Sequence, residues 1–504
     1  MRQTGCFSQI RTIFGGLAAF FVAMAFGQTP GTLDLSFAGV GYVTTTIGTS
    51  PSDDRARAVV VQPDGKIVVA GTCDDDFCMV RYLVNGSLDG TFGTGGRVVQ
   101  NLVGTDTAYA MVMQPDGKFV LAGHCVAGLT STFCAARFTT AGALDQSFGG
   151  ASSGFVTINV TSAGDVAKAV TLQTDGKIVM AGACTNLSPS TGQDFCLVRL
   201  NGDGTPDLTF NGTGKVFTTF GGGFVNQGAN AVALQPDGKI LAAGFCDGGT
   251  YDRICVARYL PDGSSLDGTF GAGLGYVTTQ AVNGVNTRAY QLAVLPSGKI
   301  LVGAECGSDL CAVRYLPNGG LDATFANAGV LGSGASVAEA KVAALALDSD
   351  GSFVLGGWSN PISGITSRPA RKYSAEGRFV SSMTTLLTGY FIAGEAQGWN
   401  GAVIHVDGKI IVAGPNAQQS DSTKGDFHVA RFHGFPSDAR NCSLDVDGDG
   451  KVLATTDSLI HARVALGMTG TAVTNGITFA THALRSNWND IRTHLVTQCG
   501  MTLP

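Results

Sequence analysis

Charged residues are scarce in this sequence, and the motifs that mark common catalytic sites are missing. Only 14 % of the 504 residues are charged, and Lys and Arg form no cluster. Nucleic-acid-binding proteins neutralise phosphates with grouped Lys and Arg, so this composition argues against a nucleic-acid partner. The chain has no HExxH, no P-loop and no dinucleotide fingerprint, and no stretch after residue 27 is long and apolar enough to cross a bilayer.

Glycine, in contrast, is abundant and regularly placed. The 72 glycines occur with 44 % hydrophobic residues, which is the composition of a folded chain rather than a disordered one. They belong to a unit written seven times between residues 62 and 431, whose clearest copy begins at Val61 and reads VQPDGKIVVAGTCDDDFCMVRYLVNGSLDGTFGTGGRVV. The turn of each unit is anchored at Asp64, Asp116, Asp175, Asp237, Ser297, Asp350 and Asp407.

Each unit predicts four short strands. The first strand, with alternating apolar residues, precedes the Pro-Asp-Gly turn. The second strand (KIVVAG) and the third (FCMVRY) follow the turn. The fourth strand (GRVVQ) comes after the motif G-x-L-D-x-[ST]-F. Such a unit cannot bury its own apolar face and must stack on its neighbours. We therefore predict an all-β, seven-bladed β-propeller. The alternative is a linear solenoid, which would need polar caps.

The phase of the repeat predicts how the ring closes. The segment Gly31–Thr46 reads as the last quarter of a unit, and the seventh unit ends at Phe427–Gly434 without that quarter. We expect the N-terminal strand to complete the last blade, because this removes exposed sheet edges.

The units closely resemble the delta-60 repeat, a β-propeller repeat of bacterial secreted and surface proteins. The resemblance covers about Gly31 to Gly434 and rests on the DGK, AG, RY and LDxSF segments; the sixth unit departs most from the pattern. It implies a propeller fold and an extracellular setting, and no general biochemical activity.

The cysteines follow the repeat. Cys6 and two C-terminal cysteines lie outside the repeats. In each of the first five units, one cysteine follows the second strand and another begins the third. The pairs are Cys73 with Cys78, Cys125 with Cys134, Cys184 with Cys196, Cys246 with Cys255, and Cys306 with Cys311. Units six and seven lack both members, with Ser359 and Pro369 in one and Asn416 and His428 in the other. Partners that are present or absent together predict disulfides between facing residues of a hairpin, which clamp the loops of one rim. Metal-binding thiolates, the alternative, require four converging ligands at fixed spacing.

The beginning of the chain has the pattern of a secretory signal peptide. A weakly basic start precedes the apolar run Ile13–Gly27, and small residues then offer a cleavage site before Gln28. A membrane anchor is the alternative, although the run is shorter than a span requires. Removal of residues 1–27 takes away Arg2 and Arg11 and leaves 30 basic and 38 acidic residues, a formal charge of −8. Disulfides agree with export, so we expect a secreted or cell-surface protein.

The repeat stops after residue 434, and a short linker (435–441) leads to a different module (442–504). Its sequence DVDGDGK is the first half of an EF-hand loop, with Thr456 at the position of the usual closing acid and an Asp one residue later. The segment resembles a dockerin-type calcium module, which implies Ca²⁺ binding; dockerins have two such loops, and one is present here. The expected ligands are Asp445, Asp447, Asp449, the carbonyl of Lys451, and Asp457, which alternatively caps the following helix. A loop that serves only as a turn is the other interpretation. We expect Cys442 and Cys499 to pair.

Catalytic residues cannot be assigned from spacing. The GxSxG match at Gly150–Gly154 falls between strands rather than in a strand–turn–helix elbow. The recurring Arg of the third strand and the Asp of LDxSF are interpreted as framework, because a site breaks the symmetry of its scaffold. His124 stands alone in unit two and is expected on a rim. The candidate ligand-binding residues are those that break the symmetry of units six and seven: Trp358, His405, Asn416, His428 and His433.

These patterns favour a non-catalytic binding propeller. We expect its rim loops to engage a surface protein or a glycan, with the calcium module acting in attachment or stability. The alternative is an extracellular enzyme that acts on polysaccharide, and it predicts acids or histidines from single blades converging at the channel mouth. A third possibility, a structural spacer, predicts a featureless rim.

Overall fold

The computed structural model describes most of the repeat region and short parts of the C-terminal module. The described residues are 30–48, 52–128, 130–150, 153–186, 192–220, 226–307, 310–332, 339–360, 369–383, 399–417, 425–434, 460, 463–464, 468–469, 471–475, 477 and 487–493. The predicted signal peptide, the calcium loop, Cys442 and Cys499 lie outside them.

The repeats form seven four-stranded antiparallel sheets, the blades of a β-propeller. Blades one to three contain β2 (Asp54–Val61), β3 (Ile67–Cys73), β4 (Asp76–Tyr82), β5 (Arg97–Gln100), β6 (Thr105–Met113), β7 (Phe119–Ala127), β8 (Thr130–Phe138), β9 (Phe155–Ile158), β10 (Asp165–Leu172), β11 (Ile178–Asn186), β12 (Gly192–Leu200) and β13 (Lys215–Thr218). Blades four to six contain β14 (Gln227–Leu234), β15 (Ile240–Asp247), β16 (Asp252–Tyr259), β17 (Tyr276–Thr279), β18 (Thr287–Val294), β19 (Ile300–Cys306), β20 (Leu310–Tyr315), β21 (Val330–Leu331), β22 (Glu339–Leu347), β23 (Phe353–Asn360), β24 (Ala370–Tyr373) and β25 (Phe379–Met383), with a 3-10 turn at Gly271–Gly273. Blade seven contains β26 (Gly401–Ile404), β27 (Ile410–Ala417), β28 (Gly425–Phe432) and β1 (Tyr42–Thr45).

The predicted turn chemistry is present between the first and second strands. In blade one the Asp64 carboxylate accepts a hydrogen bond from the backbone N–H of Lys66 at 3.2 Å. Gly65 has φ +81°, a conformation that residues with a Cβ rarely adopt. The turn that contains DGK therefore connects the end of β2 at Val61 to the start of β3 at Ile67.

The apolar core lies between blades rather than inside each one. Val68, Phe77 and Met79 of blade one share a buried cluster with Phe119 and Leu121 of blade two. A corresponding cluster joins blade one to the last blade, since it contains residues of β2, β3 and β4 together with residues of β27 and β28. Burial of about 25 cal/mol per Å² of apolar surface is thus obtained only when neighbouring blades stack.

The recurring arginine also joins neighbouring blades. In blade one, the Arg81 Nε donates to Asp89 Oδ2 at 2.9 Å, and Nη1 donates to the carbonyl of Thr140 in blade two at 2.6 Å. The guanidinium lies 4.5 Å from the centre of the Phe92 ring, and Lys66 of the DGK turn lies 3.5 Å from the same carboxylate. These residues form a buried framework.

The buried aspartates of LDxSF are strongly acidic. Burial alone would raise the pKa of Asp89, but hydrogen bonds from Thr91 and the charges of Arg81 and Lys66 outweigh it, and the pKa is lowered to about 2. The equivalent aspartates have pKa values shifted in the same direction; they are Asp34, Asp145, Asp207, Asp267 and Asp322.

The fourth strand of blade seven comes from the N-terminal part of the chain. β1 pairs antiparallel with β28, with Val43 opposite Val429. Asp34 supplies the missing carboxylate, which accepts a hydrogen bond from Arg431 Nε at 2.8 Å and lies 3.1 Å from Lys409 Nζ. The residues before β1 therefore complete the polar framework of the last blade.

Blade six satisfies the framework differently, in line with its divergent sequence. Lys372 takes the place of the arginine, and its Nζ donates to Asp348 Oδ2 at 2.9 Å. Asp348 lies at the end of the first strand, before the turn, whereas the other blades use the aspartate before the fourth strand. Blade six therefore also has an ion pair at this position, but its aspartate follows the first strand and does not precede the fourth.

All five hairpin disulfides predicted for blades one to five are present, with Cα–Cα distances of 5.6 to 5.9 Å. The expectation that the cysteines face each other directly is wrong. Cys73 lies opposite Asp76, and Cys78 lies opposite Gly71, so the bridge is diagonal across the hairpin. The right-handed twist of a two-stranded ribbon brings one diagonal pair close together, which explains the offset.

The described parts of the C-terminal module include two short helices, α1 (Thr471–Thr474) and α2 (Trp488–Thr493). Ile460, Val464, Val473 and Ile491 form a small buried cluster of their own. Among the described residues, none of the helices has the length and apolar character that a membrane crossing requires.

Candidate functional site

A β-bulge at one repeat position defines the lining of the central channel. In the first strand of blades one to six, the register with the second strand shifts by one residue. A bulge leaves one residue unpaired and turns its side chain away from the ladder. The residues at the shift are Arg57, Tyr109, Lys168, Asn230, Tyr290 and Ala343.

Four of these six residues line a cavity of about 200 Å³ on the axis of the ring, which is bordered by the first strands of all seven blades. Arg57, Tyr109, Lys168 and Asn230 line it, and Asn400 joins them from blade seven. The neighbouring positions are mostly alanine or other apolar residues. At the bulge, the type of side chain therefore differs from blade to blade more than at the two adjacent positions.

The amides of this set are structural. Asn230 Nδ2 donates to the carbonyl of Ala289 at 2.8 Å, and Asn400 Nδ2 donates to the carbonyl of Ala56 at 2.9 Å. Both acceptors are backbone oxygens next to a bulge in the following blade, where the ladder is interrupted. These amides stabilise the joints between blades.

One group of functional side chains surrounds Tyr109. The guanidinium of Arg57 lies 5.5 Å and the Nζ of Lys168 lies 3.5 Å from the ring centre. The imidazole of His124 stacks on the same ring at 5.8 Å. Burial, together with the charge of Lys168, lowers the pKa of His124 to about 4, so this imidazole is neutral at physiological pH.

A second group comes from blades five and six. Tyr290 Oη donates to Glu305 Oε2 at 3.0 Å, and Lys341 Nζ lies 4.0 Å from the centre of the Tyr290 ring. Arg288 lies 4.0 Å from the same carboxylate and also pairs with Asp252. Burial and the adjacent Glu305 charge raise the pKa of Tyr290, so its hydroxyl stays protonated and acts as a donor.

The charges of the two groups interact, because Arg57 and Lys168 of the first group affect the pKa of Lys341 in the second. Burial lowers the pKa of Lys341 to about 8. That value includes the charge of Glu305, which raises the pKa, and the charges of Arg57, Lys168 and Arg288, which lower it. We use the name channel cluster for the following residues: Arg57, Tyr109, Lys168, Arg288, Tyr290, Glu305 and Lys341.

A second pocket of about 330 Å³ adjoins the cluster and shares Arg57 and Tyr109 with it. Asp53, Arg55 and Thr72 border this Asp pocket, as do Asp74 and Asp75 from the tip of the Cys73–Cys78 hairpin. Asp74 Oδ1 accepts a hydrogen bond from the backbone N–H of Asp53 at 2.8 Å, and Arg55 pairs with Asp53 at 2.7 Å. The disulfide-clamped loop thus forms part of the channel mouth.

The opposite end of the channel is different in character. A pocket there of about 540 Å³ is bordered by the ends of the first strands, including Leu172, Leu234, Val294 and Leu347. The polar and charged mouth is therefore the one on the side of the disulfides.

None of the five predicted ligand-binding residues lines the two pockets described at this mouth. Trp358 is opposite Lys341 in the sheet of blade six, and its buried Nε1 has no hydrogen-bond partner among the described residues. His405 Nδ1 lies 2.8 Å from Asp407 in the turn of blade seven, and His433 Nε2 lies 3.8 Å from Asp34. Asn416 is opposite Asp426 in the hairpin.

His428 is a core residue that fills the place of the second cysteine. It stacks on the fully buried Trp399 at 5.5 Å, and its Nδ1 is 2.8 Å from Thr44 Oγ1. The five candidates thus lie at separate places in blades six and seven, and the ligand-binding role proposed for them stays a prediction. Within the described residues no group of three or more His, Cys, Asp or Glu has the geometry of a metal site.

The channel cluster was missed by reasoning from sequence, although a signal exists. When the first strands are aligned on the turn, one column reads Arg, Tyr, Lys, Asn, Tyr, Ala, Asn between columns that are mostly small or apolar. When one position varies in polarity within an otherwise uniform repeat, its residues are candidates for function, since the scaffold does not require them.

The comparisons with known proteins concern the fold. Five segments, residues 62–92, 114–148, 173–210, 235–270 and 295–325, match the family described as a domain of unknown function (DUF5122) beta-propeller. No curated protein matches the chain.

Solved structures of similar shape share little sequence with the chain. A catalytically inactive virginiamycin B lyase from Staphylococcus aureus with quinupristin is 9 % identical, covers 77 % of this chain and 98 % of its own, and has a TM-score of 0.39. A polysaccharide lyase, ulvan lyase, bound to a GlcA–Rha3S saccharide is 10 % identical over 78 % of this chain and 96 % of its own, with a TM-score of 0.43. A protein from Lactobacillus plantarum is 12 % identical over 75 % and 99 %, with a TM-score of 0.41. Likenesses this distant carry no argument about function. The part of the chain that matches a described family is therefore its first five repeats, and that family is a β-propeller domain of unknown function.

Proposed function

We propose that this chain is a secreted or cell-surface, non-catalytic binding protein that holds its ligand at the clamped mouth of the propeller channel. The observation that carries the proposal is the channel cluster. Its members Arg57, Tyr109 and Lys168, which differ from blade to blade, line one cavity, while the recurring residues are occupied in the framework. The five disulfides support an oxidising setting and rigid loops around the mouth.

The experiment is a screen of the exported protein on glycan and surface-protein arrays, with and without calcium. The double variant Arg57→Ala/Tyr109→Ala should lose the ligands that the wild type retains, because it removes the shared wall of both pockets. Lys215→Gln, on the outer strand β13 of blade three, is the control for nonspecific damage. Equal retention by wild type and the Arg57/Tyr109 variant would place binding elsewhere and reject the proposal.

The C-terminal module is proposed to bind one Ca²⁺ through Asp445, Asp447, Asp449, the Lys451 carbonyl and Asp457, as a stabilising device. The alternating aspartates and the glycine at position 6 of the loop support this. Chelation should lower the unfolding temperature of the module in the wild type and leave Asp445→Asn/Asp447→Asn unaffected. Differential scanning calorimetry with and without chelator measures this, and an unchanged wild-type transition would count against a calcium site.

A second candidate function is an extracellular enzyme that acts on polysaccharide. The Tyr290–Glu305 hydrogen bond beside Lys341 supports it, since a proton donor and an acceptor lie within hydrogen-bond distance in blade five and do not belong to the recurring framework. Incubation with polysaccharides and an assay for new chain ends, with Glu305→Gln as the inactive control, distinguishes it from binding alone.

A further inference from the structure

The cavity on the axis of the ring, here called the axial cavity, is lined by two cations. Arg57 comes from blade one and Lys168 from blade three, and Tyr109 comes from the blade between them. The guanidinium carbon of Arg57 lies 5.5 Å and the Nζ of Lys168 lies 3.5 Å from the centre of the Tyr109 ring. The two cationic groups are therefore separated by no more than the sum of these distances. Like charges this close repel each other, and an anion between them relieves the repulsion.

The rest of the lining adds no negative charge. The described residues that border the axial cavity include no Asp or Glu. Besides Arg57, Lys168 and Tyr109, its polar side chains are three neutral amides that each donate to a backbone carbonyl of the following blade; they are Asn230, Gln291 and Asn400. The lining therefore carries a positive charge, although the chain as a whole has a formal charge of −6.

The size of the axial cavity limits what enters it. Its volume of about 200 Å³ is far above the roughly 10–15 Å³ that a single water needs, and it is below the roughly 300–1,000 Å³ of pockets for drug-sized ligands. A small hydrated anion, or one acidic end group, suits this space.

We propose that the axial cavity binds a small oxyanion between Arg57 and Lys168. The planar guanidinium donates to two oxygens of such a group, and the ammonium donates to another, so that both hydrogen bonds are charge-assisted. The oxyanion is either a free ion such as phosphate or the acidic end group of a larger ligand. This inference rests on the proposed binding function and names the chemistry of its ligand.

The adjoining Asp pocket allows for the larger ligand. It has a volume of about 330 Å³ and shares Arg57 and Tyr109 with the axial cavity. Its border contains charges of both signs, since Asp53, Asp74 and Asp75 lie there with Arg55 and Arg57. The remainder of a ligand whose acidic end occupies the axial cavity has room in this pocket.

The test is calorimetric titration of the full chain with inorganic phosphate, glucose 6-phosphate and glucose at constant ionic strength. We expect phosphate and glucose 6-phosphate to bind and glucose to bind at least tenfold more weakly, because it lacks the charge. Lys168→Gln and Arg57→Gln should each weaken phosphate about tenfold to a hundredfold, and Lys168→Arg should retain binding. Lys215→Gln, on the outer strand of blade three, removes the same charge outside the cavity and should bind as wild type.

Two further measurements locate the bound ion. The imidazole of His124 stacks on the Tyr109 ring with 5.8 Å between the ring centres, so its isotope-edited NMR signals, assigned by comparison with His124→Gln, should shift as phosphate fills the cavity. Replacement of chloride by phosphate at constant ionic strength should also raise the urea midpoint of the wild type, since a ligand that binds the folded state stabilises it. Both responses should disappear in Lys168→Gln, and the midpoint in chloride shows whether that variant is folded.

The relative affinities distinguish the two sources of the oxyanion. Glucose 6-phosphate that binds more tightly than phosphate would show that the site takes the acidic end of a larger ligand. Phosphate that binds as tightly or more tightly would show a site for a free ion. Glucose that binds as well as glucose 6-phosphate, or phosphate binding that is unchanged in both Lys168→Gln and Arg57→Gln, would overturn the inference.

Failure of this inference and failure of the proposed function are separable. If no phosphate compound binds while Arg57→Ala/Tyr109→Ala still loses its array ligands, the oxyanion assignment is wrong and the channel remains a binding site. If that double variant retains its array ligands while phosphate binding depends on Lys168, the proposed function is rejected and the axial cavity is a site for a free ion.

Discussion

At the scale of single residues, the recurring arginine determines how one blade is attached to the next. In blade three the guanidinium of Arg199 contacts Asp207 at 2.6 Å and the carbonyl of Pro261 in blade four at 2.5 Å. Both side chains of this ion pair are buried. A buried charge that loses its partner costs far more than the pair contributes, because it stays desolvated.

Asp207→Asn should therefore destabilise the propeller by about 3–5 kcal/mol. The comparison is Asp203→Asn in the same blade, an exposed turn residue that accepts a hydrogen bond from Thr205, for which about 0.5–1 kcal/mol is expected. Urea unfolding followed by tryptophan fluorescence measures both. Equal effects would show that the Arg199–Asp207 pair is not a buried joint.

At the scale of elements, the hairpin of the second and third strands carries the disulfide, and its loop varies in length. The bridged residues are 12 apart in blade three and 5 apart in blade one. In the chain-entropy account a cross-link limits the unfolded chain more when it closes a longer loop.

Removal of the blade-three bridge with Cys184→Ser/Cys196→Ser should cost about 3 kcal/mol, and Cys73→Ser/Cys78→Ser about 2 kcal/mol. Chemical denaturation of the two double variants tests this order. The reverse order would mean that contacts in the folded hairpin, rather than loop closure, determine the contribution of the bridge.

The strand that pairs with the last blade offers a second test at this scale. Deletion of residues 30–46 leaves β28 with an open edge and Arg431 without Asp34. Exposed edges pair with other chains, so we expect the shortened protein to aggregate. Light scattering during export or refolding measures it; Val43→Ala, a mild change in the same strand, is the control. A monomeric shortened protein would show that β1 is dispensable for the ring.

The sequence alone was sufficient for the blades and not for the site. Turn chemistry, as at Asp64, and the joint presence of cysteines specify strands and bridges because these are local relations. The bulge at Arg57 is a one-residue register shift, which changes no composition and becomes visible only when the partner strand is known. His428 breaks the repeat, and the sequence did not indicate that it would lie in the core at the position of a cysteine.

At the scale of the whole molecule, the acidic aspartates of the blades make stability depend on pH in a common direction. Their folded pKa values lie below the ordinary value of 3.8, at about 2 for Asp89 and lower for Asp207. Such a group contributes stability above its unfolded pKa and loses it as pH falls through the folded pKa.

The free energy of unfolding should therefore fall steeply below pH about 4, by about 1.4 kcal/mol per pH unit for each carboxylate that titrates, and the urea midpoint should fall with it. Removal of one such group, as in Asp207→Asn, should make the slope shallower. A midpoint unchanged down to pH about 2 would contradict the assignment of these carboxylates to the framework.

The pairing of β1 with β28 also has a consequence for biogenesis. Thr44 and His428, which contact each other, are 384 residues apart. Strand β1 is therefore synthesised before the seven blades and can pair with β28 only after all of them have been synthesised. Assembly of the last blade is then a late, slow event with a high entropic barrier, and a chain arrested at any earlier point keeps a docking edge that a chaperone would have to shield.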